Sequence, residues 1–392
     1  MISVEEAKEL IKTNVFPLAI QEINVVDSLN HYLAEQIISA IAVPSFNQSA
    51  MDGYAFYFED RNNPIEIIDE IAAGDTRTIH IKKGEGVRIF TGAKIPSGVD
   101  TVVMQELTEV TNNQLIIKDN RLKQGGNVRL KGSQINKGDV ALEKGTLLSA
   151  AAIGFISALG LTNIKIYQLP KVAIIATGNE LVKPGNQLSE GQIYESNTFM
   201  LQAALNKLMI QPTVVVVKDN QKETEKAIQQ ALQNNDLVLL SGGISVGDYD
   251  FVKESLANLN VKEVFYKIKQ KPGKPLFFGK TNSCYVFALP GNPAAALTCF
   301  YQYAYPSINL MIGGNELYLP CLKLPISQQL IKKEGRAIFY KAHTNFKIVT
   351  ILEGQGSDML KSFALANCFV YVKTEIELIS KDELVDVYLL PN

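Results

Sequence analysis

Five short clusters of Gly, Asp, Glu, Asn and Lys carry side chains suited to a charged ligand. They are TGNEL (177–181), KDN (218–220), SGGISVGDYD (241–250), KPGKP (271–275) and LPGNP (289–293). SGGISVGDYD is the most specific. Gly242, Gly243 and Gly247 let the backbone take positive φ and turn its N–H groups inward as an anion nest. Ser241 and Ser245 add hydroxyl donors, and the helix-like run that begins at Asp250 or Phe251 points its positive end at the same place. A tight strand-to-helix turn would use glycine anyway. Asp248 and Asp250 tip the reading towards phosphate, because carboxylates beside a bare anion are costly unless Mg2+ bridges the two.

In KPGKP, Lys271 and Lys274 flank a Pro-Gly turn. Two ammonium groups held together repel unless an anion or carboxylate lies between them; the ordinary alternative is a solvated turn. LPGNP carries a helix-start signature, with Asn292 at the N-cap and Pro293 first in the helix, so much of its meaning is structural. TGNEL offers Thr177 and Glu180, and KDN offers Asp219. A carboxylate after a parallel strand often takes a ribose hydroxyl or a metal-bound water. Neither a GxGxxG nor a Walker motif occurs in this stretch. Upstream, FNQSAMDGYAF (46–56) projects Asp52 from a small-residue turn, which spacing alone reads as a plain Asp-Gly turn. Thr91 in FTGAKIP and Arg129 in GGNVRLKG are similar polar residues on glycine-rich loops. With no Ser-His-Asp arrangement, no HExxH and no Cys–His partnership evident, the chemistry is positioning and charge stabilisation, as in phosphoryl or nucleotidyl transfer.

The clusters follow apolar runs: KVAIIA, TVVVV, LVLL, EVFYKI with PLFFG, and CYVFAL. Helix-like stretches separate most of them, which predicts parallel strands buried on both faces. Ligands of such a sheet bind outside the carboxyl ends of its strands, so the clusters converge on one site. Elsewhere the periodicity predicts helices over 2–12, over 27–35 with Asp27 or Ser28 as N-cap, and over 147–160. Turn-rich β sequence fills 44–139, and β patterning returns from Leu317.

The bulk numbers fit this reading. A chain of 392 residues predicts two to four domains. A formal net charge of −2 argues against a nucleic-acid protein. Four scattered Cys and three scattered His suggest neither a disulfide frame nor a zinc site. The N-terminus is charged and amphipathic, and no apolar run approaches the ~20 residues of a membrane span. A soluble, cytoplasmic protein is expected.

SAMDGYA (49–55), TGAKIPSGVD (91–100) with VVMQE (102–106), TGNEL, SGGISVGDYD, KPGKP, LPGNP and GQGSDMLKSFALAN (354–367) occur in this order. In that combination the chain resembles the molybdopterin molybdenumtransferases, the MoeA proteins and the E domain of gephyrin, over essentially its whole length. The resemblance implies a multi-domain α/β plus β protein. An elongated α+β dimerisation domain would take 1–45 and 139–170, and a β-rich insertion 46–138. A MogA-like doubly wound α/β domain would take 171–316 and a small β-barrel 317–392. It implies a homodimer whose site lies between the α/β domain of one subunit and the β-rich part of the other. The implied reaction inserts molybdate into adenylylated molybdopterin and releases AMP with Mg2+. A molybdopterin adenylyltransferase of MogA or MoaB type would supply the substrate, and molybdoenzymes are possible acceptors.

Carried over motif by motif, Asp52, Glu180, Asp219 and Asp250 are expected at the scissile phosphate, with Asp52, Glu180 and Asp250 holding Mg2+. Thr91, Gly242, Gly243, Ser245 and Gly247 are expected to hold nucleotide and phosphates, with Pro290 and Asn292 beside them. Lys271, Lys274, Arg336 and Ser357 are expected to form the molybdate pocket, where arginine's planar fork suits a tetrahedral oxyanion. The sequence departs from the family pattern at Asn47 and Gln48 (usually Asp-Asn), at Ser133 and Gln134 (usually Glu-Asp), and after Arg336. These changes lower the negative charge near the implied interface. They leave open a preference for tungstate, a scaffold that has lost catalysis, and an adenylyltransferase, since the α/β unit also resembles the MogA-type domain.

Overall fold

The computed structural model describes residues 1–244, 251–333 and 335–391. The chain divides into two compact units, Met1–Glu22 with Lys165–Asn392, and Ile23–Ile164. Both segments expected for the elongated domain, 1–45 and 139–170, are cut by this division. Among the described residues no helix is long and apolar enough to cross a membrane.

The larger unit is built on a six-stranded sheet in the order Thr213–Val217, Val172–Thr177, Leu237–Ser241, Tyr285–Leu289, Phe277–Lys280, Lys262–Tyr266. In chain order the first four run 2-1-3-4, so the winding reverses between Val172–Thr177 and Leu237–Ser241, the switch point of a doubly wound sheet. The central strands are buried throughout, and Ala173, Ile175, Val238, Leu240, Val286 and Ala288 pack against Ile228, Val252 and Leu256 of two helices.

Two expectations fail here. Phe277–Lys280 runs antiparallel to both its neighbours. The stretch joining it to Lys262–Tyr266 holds no helix, and a parallel crossover needs one. KPGKP is that connection, not the end of a parallel strand. Thr213–Val217 is not buried on both faces: it is the sheet's edge, and Val214 and Val216 are exposed.

Helix Val4–Asn14 belongs to this unit, closed by a Ser3–Glu6 capping box and burying Val4, Ala7 and Ile11. Beyond residue 320, Cys321–Pro325, Leu384–Leu389, Cys368–Val372 and Ala337–Thr344 pair in that order. Val349–Ile351 continues from Ala337–Thr344, and the bridge between Ile326 and Val349 closes the strands into a ring. The same edge of Ala337–Thr344 takes Gln270–Lys271 in parallel at its start. That pairing sets Lys271, the first lysine of KPGKP, opposite Ile338, and Lys271 and Arg336 line the same cleft.

The smaller unit has its own six-stranded sheet, Thr101–Met104, Gly53–Phe56, Glu85–Ile89, Ile65–Ile71, Gln114–Ile117, Thr108–Thr111, with separate apolar clusters around Val87 and around Leu115. The helix expected over 27–35 is absent. Asn24 Oδ1 caps only a short 3-10 turn, Val25–Ser28, and Asn30 takes φ 62°. The His31 oxygen then accepts from Leu148 N and Leu33 N donates to the Thr146 oxygen, so pairing with a distant segment overrides the helical spacing. Helix Ala150–Ala158 does form, capped by Ser149.

Candidate functional site

A cleft of about 820 Å³ opens at the carboxyl ends of the parallel strands of the larger unit, spanning their switch point. Its lining includes Glu180, Asp219, Gly242, Gly243, Lys271, Lys274, Pro290, Asn292, Arg336 and Ser357. The described parts of all five clusters meet there, together with the 354–358 loop. Strand order gives the cleft polarity. Glu180 and Asp219 follow the strands at one side of the sheet, whereas Lys271 and Lys274 come from the connection at the other side.

Each loop is held by its own device. At the switch point, Gly242 and Gly243 take φ of 94° and 63° over Thr177, and a Cβ on Gly242 would lie 2.8 Å from the Thr177 carbonyl oxygen. Only glycine fits there. Asp219 and Asn179 bond reciprocally: Asn179 N donates to Asp219 Oδ2 at 3.3 Å and Asp219 N to Asn179 Oδ1 at 3.2 Å.

The lysine turn rests on a buried polar knot. Gln270, fully buried, donates through Nε2 to the Pro272 oxygen at 2.9 Å, and its Oε1 accepts from Tyr303 Oη. Gly273 has φ 86°, and a Cβ there would stand 2.3 Å from Cys299 Sγ. Burial pushes that thiol well above its ordinary range, so it stays protonated and packs as an apolar group.

The 354–358 loop is shaped by Lys341, 2% exposed, whose Nζ donates to the Gly356 and Met359 oxygens at 3.0 and 2.9 Å. Burial lowers the pKa of Lys341, and Asp358 partly restores it. Asn292 sits at the N-cap of helix Pro293–Cys299, but its side chain does not cap. Nδ2 donates instead to Ser357 Oγ at 2.7 Å, tying LPGNP to this loop.

Residues 2–160 match the MoeA N-terminal region (domain I and II), 173–309 a probable molybdopterin binding domain, and 323–390 the MoeA C-terminal region (domain IV). A molybdopterin molybdenumtransferase of Haemophilus influenzae is 34% identical, with 99% of this chain and 98% of that one covered. One from Staphylococcus epidermidis is 33% identical, covering 99% and 95%. The chain belongs to the molybdopterin molybdenumtransferases. Two solved molybdopterin biosynthesis MoeA structures from Pyrococcus horikoshii superpose over 100% of both chains, at 30% identity with TM-score 0.83 and 25% with TM-score 0.86. This molybdenumtransferase is thus an enzyme of molybdenum cofactor biosynthesis.

Not every expected residue of the transferase lines the cleft. Ser245, Gly247 and Asp250 lie outside the described residues. Asp52 and Thr91 belong to the smaller unit, where they meet each other: Thr91 donates to Asp52 Oδ1 from N at 2.8 Å and from Oγ1 at 2.7 Å. Those two bonds hold the exposed Asp52 carboxyl below its usual range. In the same unit, Asn47 Oδ1 accepts from Lys131 N at 2.8 Å, a bond that an aspartate would make equally well.

The sequence reading missed Glu195 and Asn197, which also line the cleft. Glu195 is 4% exposed and accepts from Thr198 N at 2.8 Å and from Thr198 Oγ1. Their signal was YESN (194–197), an acid and two cap-type residues at the start of a helix.

Proposed function

We propose that the cleft binds adenylylated molybdopterin and molybdate, inserts the metal into the dithiolene, and releases AMP in a Mg2+-dependent step. The observation that carries this is the polarity of a single cleft: Glu180 and Asp219 at one end, a glycine turn at the switch point, and Lys271, Lys274 and Arg336 at the other. Among the described residues the one carboxylate lining that other end, Asp358, acts on the buried Lys341. The substrate has the matching parts, an anhydride needing neutralisation and donors, and an oxyanion needing cations.

Lys271, Lys274, Arg336 and Ser357 hold molybdate, and Gly242 and Gly243 present backbone donors to phosphate. Glu180 and Asp219 supply the oxygen ligands that Mg2+ prefers, and few are needed because phosphate and water complete its shell. The ion would offset charge on the scissile phosphate. The dithiolene sulfurs of the substrate ligate molybdenum, so the protein needs no thiolate site.

The proposal includes a homodimer in which the Asp52–Thr91 corner is delivered by a second subunit. Support comes from the smaller unit's exposed apolar side chains, Val26, Leu29, Ile38, Val140 and Leu147, and from helix Ala150–Ala158, which buries only Ile156. The adenylylated substrate would come from a MogA- or MoaB-type adenylyltransferase, with molybdoenzymes as acceptors of the product.

Incubation of the purified protein with adenylylated molybdopterin, Mg2+ and molybdate tests the reading. Stoichiometric AMP release that requires both molybdate and Mg2+ is the expected result. Binding without AMP release would identify a scaffold, and product formation from ATP and molybdopterin an adenylyltransferase.

A further inference from the structure

Asn197 opens helix Asn197–Asn206 and belongs to none of the motifs that carry the family resemblance. Its Nδ2 donates twice, to Ser241 Oγ at 2.8 Å and to the Gly291 carbonyl oxygen at 2.7 Å. A carbonyl only accepts, so the second bond fixes which way the amide faces, and Ser241 meets Nδ2 and not Oδ1. Ser241 is 3% exposed and lines the cleft. Because an N–H arrives on its oxygen, its own hydrogen must point elsewhere, and among the described residues it donates to no protein acceptor.

The neighbouring strand ends in a second hydroxyl, on the opposite face of the sheet. Thr177 Oγ1 is buried with no hydrogen-bond partner among the described residues, and a Cβ on Gly243 would stand 3.1 Å from it. A buried hydroxyl left without a partner marks the place of a ligand or water. The Ser241 hydrogen, uncommitted at the cleft beside the glycine turn, complements an anionic oxygen.

We infer that Asn197 is a positioning residue that sets the Ser241 hydroxyl as a hydrogen-bond donor to a phosphate oxygen of the substrate. The inference rests on the proposed reading of the cleft as the site of adenylylated molybdopterin. Asn197 touches no substrate in this account. It acts by denying Ser241 the alternative of donating to the protein, and by tying the end of Leu237–Ser241 to LPGNP.

Replacing the amide by a carboxylate, as in Asn197→Asp, reverses the device. The new carboxylate would take the Ser241 hydrogen for itself and face the Gly291 carbonyl without a donor. The test uses AMP as a probe that binds without turnover, measured by calorimetry, alongside kcat and KM for molybdate-dependent AMP release and the urea midpoint for folding. Asn197→Asp is expected to weaken AMP at least tenfold and to raise KM, with half-saturation by molybdate unchanged. Asn197→Ala and Ser241→Ala are each expected to weaken AMP, and the double variant to lose no more than the worse single one. Wild-type AMP affinity in Asn197→Asp, or full additivity in the double variant, overturns the inference. If the Asn197 variants do not fold, Ser241→Ala alone decides, because unchanged AMP binding there removes the donor. The two readings fail separately. A wild type that binds AMP yet releases none from adenylylated molybdopterin sinks the proposed reaction and leaves the Asn197 measurement intact.

Discussion

The glycine turn at Gly242–Gly243 and the lysine turn at 271–275 face one cleft but are held in opposite ways. The glycine turn keeps its shape by having no side chains, with backbone lying directly on Thr177. The lysine turn keeps its shape through the adjoining Gln270 side chain and two side chains from farther along the chain, Cys299 and Tyr303. A phosphate contacted by N–H groups needs close approach of backbone, which any Cβ would block. An oxyanion contacted by ammonium groups needs long side chains aimed from a rigid base, and the buried polar knot supplies that base. Rigidity therefore has a removable cause at one turn and none at the other.

The sharpest break exploits this. Gly273→Ala puts a methyl group 2.3 Å from the buried Cys299 Sγ at a positive φ. It is expected to destabilise the protein by about 3–4 kcal/mol, the sum of overpacking and left-handed strain. Adding Cys299→Ala should recover about half of that. Gly242→Ala collides with the Thr177 carbonyl, so neither Cys299→Ala nor any other single side-chain truncation should rescue it. Urea denaturation of the single and double variants measures both, and equal rescue at the two glycines would erase the distinction.

A half-buried polar arrangement in the same unit serves as a control outside the cleft. Lys8 Nζ sits 4.8 Å from the Tyr318 ring, 5.3 Å from Tyr388 and 5.9 Å from Tyr371, while Glu5 accepts from Tyr371 Oη. Burial lowers the Lys8 pKa to about 8, against the pull of Glu5 and Cys321. Glu9 faces Tyr318, and Asp386 faces Tyr388. The folded state thus holds fewer protons than the unfolded one between about pH 8 and 10.5, so this group adds stability as pH rises through that window. The full effect is on the order of 3 kcal/mol. Tyr371 and Tyr388, pushed upward by burial, have the opposite sign and act above pH 10. Stability measured from pH 8 to 9.5 should rise in the wild type relative to Lys8→Met, and molybdate-dependent AMP release should be the same in both. A flat difference between them would remove the desolvation argument.

Gln270→Leu tests the knot itself. It strips the turn of its amide donor and leaves Tyr303 Oη without its acceptor, for about 1–3 kcal/mol. Half-saturation by molybdate should rise while AMP affinity stays unchanged, as read by titration of AMP release and by calorimetry. A parallel loss of AMP binding would mean the two turns are not independent.

The sequence made the convergence of loops legible because apolar runs between turn clusters force a wound sheet, and such a sheet gathers its loops at one edge. It did not reveal the antiparallel strand Phe277–Lys280, since FFGK carries no marker of direction. The missing helix after Asp27 was lost to backbone pairing with 146–148, a partner more than a hundred residues away. Nothing local marks Gln270, whose importance depends on Tyr303 and Cys299 arriving from a distant helical stretch. Asn197 was hidden for the same reason, because its partners Ser241 and Gly291 sit at the ends of two other strands. Local pattern reported the elements, and long-range polar contacts decided how the cleft is held.

The smallest effect bears most directly on how the two ends divide the substrates. Lys274 is exposed at the cleft, so truncating it leaves no buried group unpaired and should cost little stability. One ammonium lost from a pocket that keeps Lys271 and Arg336 is expected to raise half-saturation by molybdate about tenfold, equivalent to ~1.4 kcal/mol. AMP has no molybdate to place, so its affinity should be the same in Lys274→Ala as in the wild type. Lys274→Arg keeps the charge and should recover most of the loss. If Lys274→Ala weakens AMP and leaves molybdate dependence unchanged, the cationic end holds the nucleotide, and the assignment of ligands along the cleft must be reversed.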